Sequence, residues 1–253
     1  LKAHLFTDAD NTLWDTDEIF ASAQLGMLRE IEKLTGREAP RDEDRGLAFL
    51  REVDQKIAKA HPDHLRYPPA LLAQGLAMVL GGCGVGEAVA RLTGPEGKAG
   101  DEFGPVQSRF IEEIRKLPPL REGVREGLMA AGHVGIPVTI VTEETAERTC
   151  KLLLEHRLAD LVVDVVSVRK TTSAYSQLKK GVGDIACYMV GDQIDKDILA
   201  ASAAGFSTFY FPGGFAPYWN LEIDVGQAEL IERYDEIVPA ILSGNGPTSA
   251  SVG

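Results

Sequence analysis

The chain has 253 residues, 44% of them hydrophobic and 25% charged, which suits an α/β domain, or a core with an insertion, and allows a large apolar interior. Its formal net charge of −12 argues against nucleic acid and anionic membranes as partners, and means that an anionic substrate needs local positive charge to bind. No stretch approaches a membrane span and no basic-then-apolar signal segment is evident. Cys83, Cys150 and Cys187 are odd in number and lack metal-type spacing, so buried free thiols in a cytoplasmic, reducing compartment are expected.

The first element is a short apolar run, Leu5–Thr7, that reads as a buried strand of a parallel sheet. It runs into Asp8-Ala9-Asp10-Asn11-Thr12. Alternation along a strand points positions 8 and 10 the same way. Two neighbouring carboxylates repel unless a cation or a shared proton relieves them, and a hard divalent metal is the simplest relief. The plain alternative is that one Asp only caps the next helix.

Between Asp15 and Pro118 strand signals are absent and helical periodicity dominates. Ile19, Ala23, Met27, Ile31 and Leu34 mark a first helix, stopped at Gly36. Leu47, Leu50, Val53 and Ile57 mark a second, Leu72, Leu76, Val79 and Leu80 a third, and Val106, Phe110, Ile114 and Leu117 a fourth. The glycine-rich stretches 81–86 and 94–100 read as loops. The first lacks both the Lys-Ser/Thr ending of a P-loop and the G-x-G-x-x-G spacing.

From Pro118-Pro119 onward strands and helices alternate: strand Ile136–Thr142, helix Arg148–His156, strand Leu161–Val168, helix Ser173–Lys180, strand Ile185–Val190 and helix Lys196–Ala204 stopped by Gly205. Strand Ser207–Phe211 follows, broken by Pro212-Gly213-Gly214, then a last helix from about Gln227 to Leu242. The polar tail from Ser243 lies outside the core fold. This pattern predicts βαβ units and a doubly wound, Rossmann-like parallel sheet, in a core of residues 1–15 and 119–253, with an all-α insertion at 16–118. There is no internal repeat.

Ligands of open parallel sheets bind outside the carboxyl ends of the strands. Those ends carry Asp8 and Asp10, then Thr142, then Lys170, then Asp192 with Asp195 and Asp197 behind it. Each has an ordinary explanation: Thr142 as a helix N-cap, Lys170 as a solvated charge, Asp192 as a turn residue, Asp195 as a cap. The shared strand-end position of acids, hydroxyl and lysine is what these leave unexplained.

The order Asp8-Ala9-Asp10-Asn11-Thr12, Thr142, Lys170 and Gly191-Asp192-x-x-x-x-Asp197 resembles the haloacid dehalogenase superfamily of phosphotransfer hydrolases, over residues 1–15 and about 119–220. The resemblance implies a Mg²⁺-dependent phosphatase acting on a small phosphorylated metabolite. In it Asp8 is the nucleophile, Asp10 the general acid and base, and Thr142 and Lys170 the phosphate-binding groups. Asp8, Asp192, Asp197 and the main-chain carbonyl of Asp10 hold the metal. The insertion falls where this superfamily places a helical cap, and Arg45, His61, His64 and Arg66 are candidates for substrate selection there.

Three positions depart from the pattern. Glu143 stands where Asn is usual, Thr171 where Pro is, and Gln193 where a small hydroxyl residue is. Glu143 should turn away from the phosphate or contact an amine or hydroxyl of the substrate or cap. The alternatives are a phosphomutase, a dehalogenase or phosphonate hydrolase, against both of which Asp10 speaks, and a catalytically silent binding protein on this scaffold. Oligomeric state has no sequence signature here.

Overall fold

A computed structural model describes residues 2–39, 42–62, 67–94, 97–213 and 224–244. The chain divides into two units, Leu1–Asp17 with Leu117–Gly253, and Glu18–Lys116.

The first unit is built on β1 (Ala3–Thr7), β2 (Val138–Thr142), β3 (Asp164–Ser167), β4 (Ala186–Gly191), β5 (Ser207–Tyr210) and β6 (Glu229–Leu230). They form one sheet in the order β3-β2-β1-β4-β5-β6, every pair parallel. Alternation along the strands feeds two cores. Ala3 and Leu5 of β1 and Val138 and Ile140 of β2 pack on one face, with Val124 and Leu128 of α6 (Val124–His133), Leu153 of α7 (Ala146–Glu155), and Val238 and Ile241 of α10 (Ile237–Ser243). Phe6, Val141 and Met189 enter the other, with Tyr175 of α8 (Thr172–Val182) and Ala201 of α9 (Ala200–Ala203). Burial on both faces is what makes these strands continuous apolar runs instead of alternating ones. The result is a doubly wound, Rossmann-like sheet. Chain connectivity reverses direction between β1 and β4, which is where such sheets open their ligand crevice.

The second unit is helical: α1 (Thr16–Thr35, which starts in the first unit), α2 (Glu43–Ala60), α3 (Pro69–Leu80), α4 (Val85–Thr93) and α5 (Gly104–Glu113). Its own core joins Met27 and Ile31 to Leu50, Val53, Ile57, Leu72, Leu76, Leu92 and Phe110. Its described residues contain no strand.

Several expectations are corrected. The sequence 227–242 is not one helix: Glu229–Leu230 is an edge strand on β5, Tyr234–Glu236 a 3₁₀ turn, and only Ile237–Ser243 is α-helical. Pro239 falls in its first turn, where no intrahelical N–H is lost. Two further helices, α4 and α6, add to those the periodicity predicts; α4 begins inside the glycine-rich stretch 81–86. Leu34 and Leu117 are 57% and 45% exposed and leave the apolar face assigned to them. Of the free cysteines only Cys187 is buried, and Cys150 is exposed on α7. Gly205 does end its helix, at φ +82°, in a left-handed turn. Gly214 and the tail beyond Gly244 lie outside the described residues. No helix among those described is long and apolar enough to cross a membrane.

Candidate active site

Asp8 follows directly on β1, its N–H donating to the carbonyl of Val190 on β4 (2.9 Å). This main-chain bond sets it beside the strand that leads to Asp192. Lys170 follows β3 and reaches inward, donating to Asp8 Oδ1 and to Asp197 Oδ1 (2.6 Å). Thr12 Oγ1 donates to the second oxygen of Asp8 (3.1 Å). All three charged groups are buried: Lys170 is 7% exposed, Asp8 4% and Asp197 0%. The surface-charge explanation of Lys170 therefore fails.

After β4 the chain enters a π-helical turn, Ile194–Leu199. The N–H of Asp197 donates to the carbonyl of Gln193 (2.7 Å), and Asp197 Oδ2 accepts the Gln193 N–H in return (3.1 Å). The carboxylate thus closes its own turn while its other oxygen takes Lys170. A Cβ at Gly191 would stand 2.4 Å from Asp197, so only glycine lets the two segments meet. Asp195 is exposed and caps nothing; Gln193 is the N-cap residue.

Asp8, Asp192 and Asp197 bring one carboxylate oxygen each within 4.8 Å of one another. Burial, with Asp197 close by and Lys170 opposing, pushes the Asp8 carboxyl up to about 6. Burial, then Asp8 and Asp197, raises Asp192 well above the usual carboxylate range. For Lys170 burial acts downward, but Asp197 and Asp8 outweigh it and hold the ammonium well above its ordinary value. One ammonium therefore faces three acids. Asp192 Oδ1 is buried with no hydrogen-bond partner among the described residues, a costly state for a carboxylate oxygen. An all-oxygen donor set with a buried, unpartnered oxygen and excess negative charge fits a hard divalent cation such as Mg²⁺.

Asp10 is turned elsewhere. Its Oδ1 accepts the Trp14 indole N–H (2.9 Å) and the Thr16 hydroxyl (3.2 Å). Strand alternation does not govern this pair, because β1 ends at Thr7 and the chain curls, with the Thr12 and Leu13 N–H groups donating to the Ala9 carbonyl. Burial, then the charge of Asp8, raises the Asp10 carboxyl above its usual range.

Thr142 closes β2, buried. Its Oγ1 accepts the Glu144 N–H (3.0 Å), while the N-cap of α7 is Thr145; among the described residues it makes no hydrogen bond to the acidic cluster. Thr171 caps α8, accepting the Ala174 N–H. Glu143 spans two motifs: Oε1 accepts the Lys170 N–H (3.1 Å) and Oε2 the Lys196 ammonium (2.6 Å). Burial opposes ionisation, but Lys196 and the Lys170 N–H outweigh it and hold Glu143 below its usual range. Because the folded-state value is depressed, this contribution is complete above pH 4.5 and is lost as the pH falls through the lower folded value. Glu143→Gln is therefore expected to cost at most about 1 kcal/mol at pH 7, the pair being partly solvated. Urea melts of both proteins should show the gap closing below pH 4.5; a gap that widens there would refute this account.

In the helical unit Arg45 is exposed and the His61 ring lies 5.8 Å from that of Tyr67; His64 and Arg66 fall outside the described residues. Sequence reasoning missed Trp14, Tyr175 (hydroxyl 3.5 Å from Asp197 Oδ1), Lys196 and Arg121 as neighbours of the site.

A family model described as HAD-hydrolase-like matches residues 170–222, the stretch that carries Lys170, Asp192 and Asp197. No curated protein sequence matches the chain. Among solved structures, a haloacid dehalogenase-like hydrolase from Xanthomonas campestris is 18% identical, with a TM-score of 0.59 over 96% of each chain. A predicted phosphoglycolate phosphatase from Haemophilus somnus is 16% identical, with a TM-score of 0.58 over 94% of this chain and 97% of that one. YfnB of Bacillus subtilis, described as a HAD-hydrolase and bound to magnesium, is 15% identical, with a TM-score of 0.56 over 95% and 99%. The chain has the fold of the haloacid dehalogenase-like hydrolases, and its residues 170–222 match that family's model.

Proposed function

We propose that the protein is a Mg²⁺-dependent phosphomonoesterase that works through an aspartyl-phosphate on Asp8. The observation that carries this reading is the buried cluster itself: Asp8 held between Lys170 and Thr12, with Asp192 and Asp197 in ligand range and an unpartnered oxygen on Asp192.

An Asp8 carboxylate oxygen bonds to phosphorus as the bond to the leaving oxygen breaks, and Asp10 gives that oxygen its proton. Asp10 then takes a proton from the water that attacks the aspartyl-phosphate, releasing inorganic phosphate and restoring Asp8. Burial and the neighbouring Asp8 raise the Asp10 carboxyl, the direction that suits a group that must carry a proton. Lys170 and Thr142 hold the phosphoryl oxygens. Mg²⁺, held by Asp8, Asp192 and the Asp10 main-chain carbonyl with Asp197 in support, supplies the positive charge that lets a carboxylate approach a phosphate dianion. The helical unit acts as a cap that selects the leaving group of a small phosphorylated metabolite in the cytoplasm. The neighbours described as a phosphoglycolate phosphatase and as magnesium-bound support this choice within the fold.

Turnover of an aryl phosphate with Mg²⁺, and its loss with a chelator, is the expected result; equal turnover in both, or none in either, overturns the proposal.

Asp192→Asn removes a ligand and also some repulsion. The variant is expected to melt no lower than the parent without metal, yet to lose most of the Mg²⁺-dependent rise in melting temperature. Thermal melts across a Mg²⁺ titration at fixed ionic strength check this. An equal rise in both proteins would remove Asp192 from the ligand set.

A further inference from the structure

Arg121 stands outside every motif, yet its guanidinium has a dense set of partners. Nη1 donates to the carbonyls of Asn11 (2.6 Å) and Phe211 (3.2 Å), and Nη2 to that of Pro212 (2.7 Å). Its carbon lies 3.5 Å from the centre of the Phe211 ring. The backbone beneath is fixed as well: the Arg121 N–H donates to Leu13 (3.0 Å), the Asp15 N–H to Pro119 (2.8 Å), and Trp14 bridges Leu120. Burial lowers the guanidinium from its ordinary value, with Asp192 and Asp15 opposing, which sets its charge near the acidic centre.

The joined segments are informative. Asn11 directly follows Asp10 and sits at φ +57°, a left-handed conformation that Asn tolerates better than most residues. Its side-chain oxygen accepts the Asp17 N–H (2.8 Å) and its own N–H donates to Thr16 (3.2 Å), so its carbonyl is free to face Arg121. On the other side, Pro212 leads into Gly213, where a Cβ would stand 2.8 Å from Asp192 Oδ2 and 3.1 Å from the Asn11 Cβ. Arg121 thus holds two loops against each other. One carries the Asp10 carbonyl, and the other forms a wall against the Asp192 carboxylate.

We propose that Arg121 is a positioning residue for the divalent-metal site, clamping the loop after β1 to the chain leaving β5 so that the Asp10 carbonyl and Asp192 keep one arrangement. The inference rests on the metal-dependent reading of the cluster. It makes a prediction opposite in sign to a simple charge effect. A cation near three acids repels Mg²⁺, so deleting it should tighten binding. Losing the clamp should weaken binding.

The test is Mg²⁺ affinity by calorimetry, with metal-free melts and aryl phosphate kinetics, on Arg121→Lys, Arg121→Met and Gly213→Ala. Lys keeps the charge but cannot span three carbonyls, and Gly213→Ala disturbs the same junction with Arg121 intact. The expected result is a loss of Mg²⁺ affinity of about tenfold or more in all three, the scale of outer-shell partners of metal ligands. Turnover should approach the parent value at saturating Mg²⁺. Tighter binding by Arg121→Met with unchanged binding by Arg121→Lys reduces Arg121 to a charge and overturns the proposal. So does a lower melting temperature with unchanged Mg²⁺ affinity. If Arg121→Met does not fold, the other two variants decide. If the parent protein itself binds no Mg²⁺, the metal-dependent reading fails first, and that outcome is distinct from a failure of the clamp alone.

Discussion

Replacing Asp8 by Asn is expected to lower phosphate-ester turnover by roughly 10⁴-fold or more, the scale of losing a nucleophile, with the fold intact. The amide is isosteric, but its oxygen does not attack phosphorus. The surroundings tolerate it: Lys170 keeps Asp197 as partner, and the Thr12 hydroxyl, which now donates to Asp8 Oδ2, can rotate to accept from the amide. Stability should stay within about 1 kcal/mol of the parent, because one charge is removed from a group of three acids. Steady-state kinetics and a urea melt on one homogeneous preparation check both halves. Parent-like turnover would end the case for Asp8 as nucleophile.

The largest stability effect is expected at Lys170. Its ammonium serves Asp8 and Asp197 in a buried setting, and deleting one partner of such a group leaves uncompensated charge, typically at a cost of about 3–5 kcal/mol. Lys170→Met should show a loss of this size at neutral pH without metal, with part of it recovered on adding Mg²⁺. The sign of the pH dependence follows from Asp8, whose carboxyl is already raised to about 6 in the fold. A raised folded-state value means protons are taken up on folding, so metal-free stability falls as pH rises toward that value. Without Lys170 the acids repel most when ionised, so the deficit should be largest above pH 6 and shrink below it. Urea melts from pH 5 to pH 8 would show this, and a variant as stable as the parent at neutral pH would contradict the charge balance described here.

The strand-end acids were legible because parallel strands buried on both faces leave a mostly apolar, non-alternating signature, and β1, β2 and β4 carry it. The meeting of Lys170 with Asp8 and Asp197 follows from topology once the strands are ordered. Other parts had no such signature. Asp10 parted from Asp8 because a curl at Ala9, not strand geometry, directs it. Helix α4 spans only Val85–Thr93 between glycines, too short for periodicity to stand out. The final segment read as a helix because Leu230, Ile231, Ile237, Val238 and Ile241 mix helical and edge-strand spacings. Arg121 donates to main-chain carbonyls, and an acceptor that every residue possesses leaves no mark in the sequence. Glu143 is a visible departure from the motif, but its partner Lys196 lies 53 residues away and only the fold joins them.

The central place of β1 has a consequence for synthesis on the ribosome. β1 pairs with β2 at Val138–Ile140 and with β4 across Ala186–Val190, so β1 lies between partners made much later. At roughly 5–20 residues per second, β4 emerges on the order of 10–40 s after β1. Until β2 emerges the strand waits with neither neighbour, and until β4 emerges with only one. The helical unit is contiguous, Glu18–Lys116, and is complete before β2 is translated. The Asp15 N–H meets the Pro119 carbonyl at 2.8 Å, so the two roots of the insertion end side by side. Folding of that unit takes conformational freedom out of a tether of about a hundred residues, so the search of β1 for β2 then carries less loop entropy.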